Sequence, residues 1–302
     1  MVLKLRHLSE IWGPPVCINS YDLNDSLGPV CTDSREMIKG NFFVPLIGSN
    51  FNGHDFLQSI FKIGAQAAVV SKAHKNKVPA GLLHWLVADT LHAYQQLGLL
   101  HRKHLDIPVI AVTGSVGKTT TRELIKSSLA SLGDITASIG NNNNNVGVPR
   151  TILSASSSHS ALVVEMGMRG LGEIERLSLY TQPDIGVITN IGNAHLGLLG
   201  SRRNIAKAKC EITFSLKSTG FVVIPAGDQL LEEELAKVWN GRVIRVSIQD
   251  HIHNQSISDE EPSCGLPKAD LIGRVSLGNG EILIDGFAYK LPIEGIHNAW
   301  NF

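Results

Sequence analysis

The sequence predicts an α/β fold in two domains, and three observations carry that prediction. Strand-length apolar runs alternate with helical periodicity from Cys31 onward, the order that α/β proteins show. A buried strand, a glycine-containing loop and a helix follow one another in VIAVTGSVGKTTTRELIKSSLASLG, between Val109 and Gly133. At 302 residues the chain exceeds one core of average size.

The opening segment, MVLKLRHLSEIWG, lacks a continuous apolar stretch of signal-peptide length, and no run of about 18 apolar residues suggests a membrane span. The 27 basic residues balance the 27 acidic ones, so net charge implies no nucleic-acid partner. Cys17, Cys31, Cys210 and Cys264 are scattered without metal-ligand spacing, which fits free thiols in a reducing compartment and hence a cytoplasmic protein.

From Cys31 to Ala73 the pattern gives a strand at NFFVPL, a Gly/Asn turn, an amphipathic helix and a strand at AAVV. HWLVADTLHAYQQLGLLHRKHL then runs from a short strand into a helix that Pro108 interrupts, so the domain boundary is expected near residue 106. This divides the chain into a small α/β domain, 1–105, and a parallel-sheet domain of the phosphate-loop type, 106–302. In the second domain the helix after the loop presents Leu124, Ile125, Leu129 and Leu132. ALVVEMG and DIGVITNIG read as two further strands with a helix between them, as parallel pairing requires. FVVIPAG, RVIRVSI, LIGRVSL and EILIDGF are strands set closer together, and the polar QDHIHNQSISDEEPSCG reads as an exposed loop.

A tight turn delivered by a strand into a helix N-terminus exposes backbone N–H groups that bind phosphate oxygens, aided by the helix dipole. Thr113-Gly114-Ser115-Val116-Gly117-Lys118-Thr119 has this form, shortened to G-x-x-G-K-T because Val112 stands where the longer pattern has glycine. The motif assigns Lys118 to the β and γ phosphates and the Thr119 hydroxyl to Mg2+.

Ligands of a parallel sheet gather at the carboxyl ends of its strands, which directs attention to Glu165 at the end of ALVVE and His195 beyond DIGVITNIG. Glu165 reads either as a Mg2+-holding carboxylate or as a capping or salt-bridged one. His195 reads as a ligand or as a structural histidine. In SRRNIAKAKCEITFSL, one helix by its periodicity, Lys209 enters the apolar stripe of Ile205, Ile212 and Leu216. It is either a snorkelling side chain or a buried functional lysine.

These segments together resemble the Mur ligases, which join an amino acid or dipeptide to a UDP-linked muramoyl precursor of peptidoglycan, and the resemblance runs through nearly the whole chain. TGSVGKTT resembles their ATP loop, VVEMG their Mg2+-binding glutamate segment, and NIGNAHLGLLGSRRNIAKAKCEI their histidine and lysine segment. The resemblance implies an ATP site at Gly114, Ser115, Val116, Gly117, Lys118, Thr119 and Thr120. It implies Mg2+ held by Thr119, Glu165, His195 and Lys209, the lysine as a carbamate, with Lys118, His195 and Lys209 catalytic. CTDSREMIKGNFFVPLIG resembles the N-terminal, UDP-binding domain, whose D-S-R turn maps to Asp33, Ser34 and Arg35; by itself an Arg in a turn is a surface residue. GNNNNNVGVP is most similar to the D-alanyl-D-alanine-adding branch, which implies that Asn141, Asn143 and Asn144 lie near the muramoyl peptide; a plain Asn-rich turn is the alternative.

By that resemblance the partners are a UDP-N-acetylmuramoyl tripeptide and D-alanyl-D-alanine, joined through an acyl phosphate by an ATP-dependent ligase expected to be monomeric. Relatives that add a single amino acid, folylpolyglutamate synthases and a non-catalytic nucleotide-binding protein are the competing readings; the D-S-R turn and the Asn run argue against the folate branch. The chain departs from the family at Gly197, commonly Glu, and at Ile224-Pro225-Ala226, where Asn is usual. IEGIHNAWNF resembles the G-x-H-N-x-x-N motif that opens a helix before a third domain, and that domain is expected to be absent.

Overall fold

The computed structural model describes residues 3–16, 21–250, 266–276, 280–293 and 296–302. Cys17, Cys264 and most of the polar segment expected as a loop, residues 251–265, lie outside the described residues. The chain divides into two compact units, one of residues up to Asp106 together with Ile152–Ser157, the other of Ile107–Thr151 and Ser158–Phe302. The division falls two residues before Pro108. The return of Ile152–Ser157 to the first unit was not legible in the order of elements.

The first unit contains α1 (Leu5–Trp12), β1 (Val30–Cys31), β2 (Phe42–Phe43), α2 (Leu57–Ile63), β3 (Ala67–Ser71), β4 (His84–Val87) and α3 (Thr90–Lys103). Its four strands pair in parallel in the order β1-β2-β3-β4. The NFFVPL strand is shorter than its apolar run: pairing stops after Phe43, just ahead of Pro45, which has no N–H to donate to a ladder. Phe42, Phe43, Val69, Val70, Trp85 and Leu97 are fully buried, each side chain contributing roughly 1.5–3 kcal/mol of hydrophobic free energy.

A pair of stacked imidazoles, His54 and His74, joins the turn before α2 to the 3-10 turn after β3, with ring centroids 4.2 Å apart. Ser71 N–H donates to His54 Nε2 at 3.1 Å, so Nε2 is the unprotonated nitrogen and Nδ1–H donates to Asn52 Oδ1 at 2.8 Å. The Asn52 amide nitrogen reaches His74 Nε2 at 3.0 Å. Burial, with help from His74 and Lys77, lowers the His54 pKa to about 4.

The second unit is built on a nine-stranded sheet. In chain order its elements are β5 (Val109–Thr113), α4 (Lys118–Leu129), β6 (Ile135–Ala137), α5 (Gly147–Ser154), β7 (Ala161–Glu165), α6 (Glu173–Thr181), β8 (Ile185–Ile188), α7 (Leu196–Leu199), α8 (Arg202–Cys210), β9 (Phe221–Pro225), α9 (Gln229–Ala236), β10 (Arg242–Asp250), β11 (Leu271–Ser276), β12 (Glu281–Ile284), β13 (Phe287–Lys290) and α10 (Ile296–Asn301). The strand order is β13-β12-β11-β10-β9-β8-β5-β7-β6. Pairing is parallel from β6 through β11, and β12 and β13 extend it antiparallel. β5 thus sits between β7 and β8, which sets their carboxyl ends side by side. Val109, Ala111, Val112, Leu162, Val163 and Val164 are buried, as strands covered on both faces require.

Two helices end sooner than periodicity alone suggests. α4 stops at Leu129 and gives way to a 3-10 turn over Ala130–Leu132, closed by Gly133 at φ +128°, and Leu132 is 68% exposed. α8 stops at Cys210, so Ile212 and Leu216 share burial with Lys209 without sharing its helix. The reason is local. Glu211 accepts the N–H groups of Gly172 and Glu175 around the start of α6, Ser178 Oγ donates to the Ile212 carbonyl and Thr213 Oγ1 to that of Cys210. Side chains there replace the partners that a continuing helix would supply.

Candidate functional site

The loop between β5 and α4 is clamped from β8. The Ser115 N–H donates to the Asn190 carbonyl and the Val116 N–H to Asn190 Oδ1, while Thr189 Oγ1 donates to the Val116 carbonyl at 2.6 Å. Gly192 N–H donates to Ser115 Oγ. The amides of Ser115 and Val116 are therefore engaged within the protein. Those of Lys118, Thr119 and Thr120, in the first turn of α4, have no intrahelical partner. Two glycines are dictated by this packing. Gly114 has φ +152° and a Cβ on it would lie 1.9 Å from Thr189 Oγ1; Gly117 has φ +81° and a Cβ would lie 2.1 Å from Asn301 Oδ1. Thr189 and Asn190 shape the loop without a local sequence signature, and Asn301 belongs to the G-x-H-N-x-x-N motif.

Glu165 ends β7 and is 2% exposed. Its Oε2 accepts from Thr119 Oγ1 at 2.9 Å and from Arg122 Nη1 at 3.0 Å, and its Oε1 accepts from Asn143 Nδ2 at 2.8 Å. The Glu165 N–H donates to Ser138 Oγ, which fixes the carboxylate's backbone as well. Of the two readings of Glu165 the salt-bridged one is observed, and its oxygens also stand beside the phosphate loop. Arg122 was missed because a polar residue in the second turn of α4 reads as solvent-facing; it is 3% exposed.

Lys118 Nζ donates to the carbonyls of Gly114 and Ser115 at 3.0 and 3.4 Å, and burial lowers its pKa against the opposing pull of Glu165. Lys209, on the inward face of α8, is 1% exposed. Burial, with repulsion from Lys118, lowers its pKa to about 7, so a large fraction is a neutral amine near neutrality. That is a buried lysine rather than a snorkelling one. His195 precedes α7 with φ +67°, a conformation uncommon for a side-chain-bearing residue. Desolvation and then Lys209 and Lys118 lower its pKa, which puts it within electrostatic reach of both lysines.

Asn143 alone of the three asparagines reaches the carboxylate. Asn144 Oδ1 accepts the N–H groups of Val146 and Gly147 at the start of α5, and Asn141 is exposed. In the first unit, the Arg35 guanidinium grips Asp33 through Nε–Oδ1 at 2.9 Å and Nη2–Oδ2 at 2.5 Å on an exposed turn, with Ser34 half-buried between them.

The site is compatible with a hard divalent cation. Ligands adjacent on an octahedron with bonds of about 2.0–2.1 Å lie about 2.9 Å apart, the separation of Thr119 Oγ1 and Glu165 Oε2. Among the described residues, no three His, Cys, Asp or Glu side chains cluster as a self-sufficient metal centre. Besides side chains, a cation there would take phosphate and water oxygens as ligands, as Mg2+ in nucleotide sites does.

A parallel sheet that feeds a glycine loop into a helix N-terminus, with a carboxylate on the neighbouring strand, defines a phosphate-loop α/β protein. The Mur ligase middle domain model matches residues 112–302, and the chain belongs to the Mur ligase family. A Synechocystis UDP-N-acetylmuramoyl-tripeptide--D-alanyl-D-alanine ligase is 38% identical over 273 residues, covering 90% of this chain and 56% of that protein. The Bacillus subtilis protein of the same name is 40% identical over 203 residues, 67% of this chain and 44% of its own length. Acinetobacter baumannii MurF aligns with a TM-score of 0.80 at 27% identity, over 99% of this chain and 62% of its own. The chain thus spans about half the length of the curated relatives it matches.

Proposed function

We propose that this chain supplies the ATP site and the UDP-substrate domain of a cytoplasmic ligase that adds D-alanyl-D-alanine to a UDP-N-acetylmuramoyl tripeptide in peptidoglycan synthesis. The observation that carries the reading is the Thr119–Glu165 pair at the mouth of the phosphate loop, with the buried Lys209 within electrostatic reach of Lys118 on that loop. The names of the relatives support the choice of dipeptide and muramoyl tripeptide.

In this reading ATP lies with its phosphates on the amides of Lys118, Thr119 and Thr120, and Lys118 Nζ exchanges the loop carbonyls for the β and γ oxygens. Thr119, Glu165, His195 and a carbamate on Lys209 would hold Mg2+, which supplies charge neutralisation for a carboxylate approaching a triphosphate. The neutral Lys209 amine would add carbon dioxide and lose a proton, which puts a carbamate anion where the protonated side chain would repel Lys118. The tripeptide carboxylate attacks the γ phosphorus and the bond to the β-phosphate oxygen breaks, giving ADP and an acyl phosphate. The D-alanyl-D-alanine amine then attacks the acyl carbon, phosphate leaves and the amine proton is lost. Positioning and electrostatics are the protein's main contribution. Asn141, Asn143 and Asn144 border the muramoyl peptide, with Asn143 shared with Glu165. Ser34 and Arg35 take the UDP diphosphate once Arg35 exchanges Asp33 for it.

The test uses the full-length gene product and a tripeptide substrate whose terminal carboxylate carries oxygen-18. One labelled oxygen should appear in inorganic phosphate for each amide formed with D-alanyl-D-alanine, and single amino acids should give far less product. Unlabelled phosphate, or preference for a single amino acid, would overturn the assignment.

A further inference from the structure

Arg122 is the buried cation of the site that the reaction as described leaves unused. It lies one turn beyond Lys118 on α4, and its guanidinium binds three groups. Nη1 donates to Glu165 Oε2 at 3.0 Å and to the Gly140 carbonyl at 2.9 Å, while Nε and Nη2 donate to Glu123 Oε1 at 3.2 and 2.5 Å. Gly140 precedes the Asn run, so one planar fork fixes both the carboxylate and the loop from which Asn143 reaches its other oxygen.

The charges around Glu165 are lopsided. One buried carboxylate faces Arg122 in direct contact and Lys118 close enough to act on electrostatically. Glu123 sits on the outer edge of the guanidinium with its side chain 54% exposed, where water screens it. Before Lys209 is carbamylated, a lone divalent cation entering here would meet two cations, Arg122 and Lys118, against one buried carboxylate, and repulsion over a few ångströms disfavours it. A triphosphate arriving with the cation brings the missing negative charge and the missing oxygen ligands.

We propose that Arg122 is a positioning residue that keeps Glu165 charge-balanced, so that a divalent cation enters this site together with a nucleoside triphosphate and not alone. The inference rests on the nucleotide reading above and adds to it an order of binding and the residue that sets it.

Mn2+ is the probe, with free Mn2+ followed by electron paramagnetic resonance in titrations of the wild type, Arg122→Met and Arg122→Lys. Each is titrated with and without a nonhydrolysable ATP analogue. The wild type should bind Mn2+ at least tenfold more tightly with the nucleotide than without it. Arg122→Met should raise nucleotide-free affinity tenfold or more, and Arg122→Lys, which keeps the charge, should stay within a few-fold of wild type. Unchanged nucleotide-free affinity in a folded Arg122→Met protein would overturn the proposal. Should that variant fail to fold, equal wild-type affinity with and without nucleotide overturns it instead. Failure of the analogue to bind at all, read separately by displacement of a fluorescent ATP, would sink the nucleotide reading, while the nucleotide-free comparison still decides the role of Arg122.

Discussion

Thr119 Oγ1 donates to Glu165 Oε2 across 2.9 Å, which ties the first turn of the phosphate-loop helix to the end of the neighbouring strand. The hydroxyl is a structural tie and, in the proposed function, a cation ligand, and the two roles separate in Thr119→Val. Loss of one hydrogen bond to a charged group costs about 1.5–3 kcal/mol of stability. Loss of a cation ligand should in addition weaken Mg2+-dependent nucleotide binding by tenfold or more, read by calorimetry with and without Mg2+. A variant that is destabilised yet binds Mg2+–ATP normally would remove Thr119 from the cation site.

The Gly114–Thr189 approach makes a second prediction. Gly114→Ala places a Cβ 1.9 Å from Thr189 Oγ1 at a φ that disfavours side chains, and should cost about 1–3 kcal/mol in urea unfolding. Thr189→Ala should recover part of that cost, with a coupling energy of at least about 0.5 kcal/mol in the double-mutant cycle. Additive effects would show that the contact is not the source of the strain.

His54 makes one contribution to the acid sensitivity of the first unit. Its pKa of about 4 in the folded chain lies below the ordinary 6.5, so the unfolded chain binds more protons between those values. Stability from this group is fully present above about pH 6.5 and is lost as pH falls toward 4. The drop approaches about 3 kcal/mol for a shift of that size. Urea melts of the wild type and His54→Gln should converge as pH falls from 7 to 4; parallel curves would refute the assignment.

Lys209 offers a spectroscopic test. Near-neutral protein equilibrated with carbon-13 bicarbonate should show a carbamate carbonyl resonance that is absent from Lys209→Met, because carbamylation needs the neutral amine that burial provides. No resonance in folded wild-type protein would leave Lys209 a plain buried lysine.

The parts of this site legible in the sequence are those with a local signature. The strand, loop and helix around Gly114–Thr119 announce themselves by periodicity and glycine spacing, and Glu165 by ending an apolar run. Arg122, Thr189 and Asn190 act through residues distant in the chain, and nothing in their neighbours' spacing reveals it. The break between α8 and its following 3-10 turn was hidden for the same reason, since Glu211 is satisfied by α6 rather than by its own helix. Lys209 lay between these cases: periodicity placed it on an apolar face, and only the enclosing structure showed the ammonium to be buried as well as its stem.

In the proposed function the amides of Lys118, Thr119 and Thr120 bind the phosphates of ATP, with Lys118 Nζ in contact. Isothermal titration of Mg2+–ATP into the wild type and Lys118→Ala tests it directly. The wild type should bind saturably and one-to-one, with binding weakened at least a hundredfold in a Lys118→Ala protein of wild-type circular dichroism. Equal binding by the two proteins would contradict it.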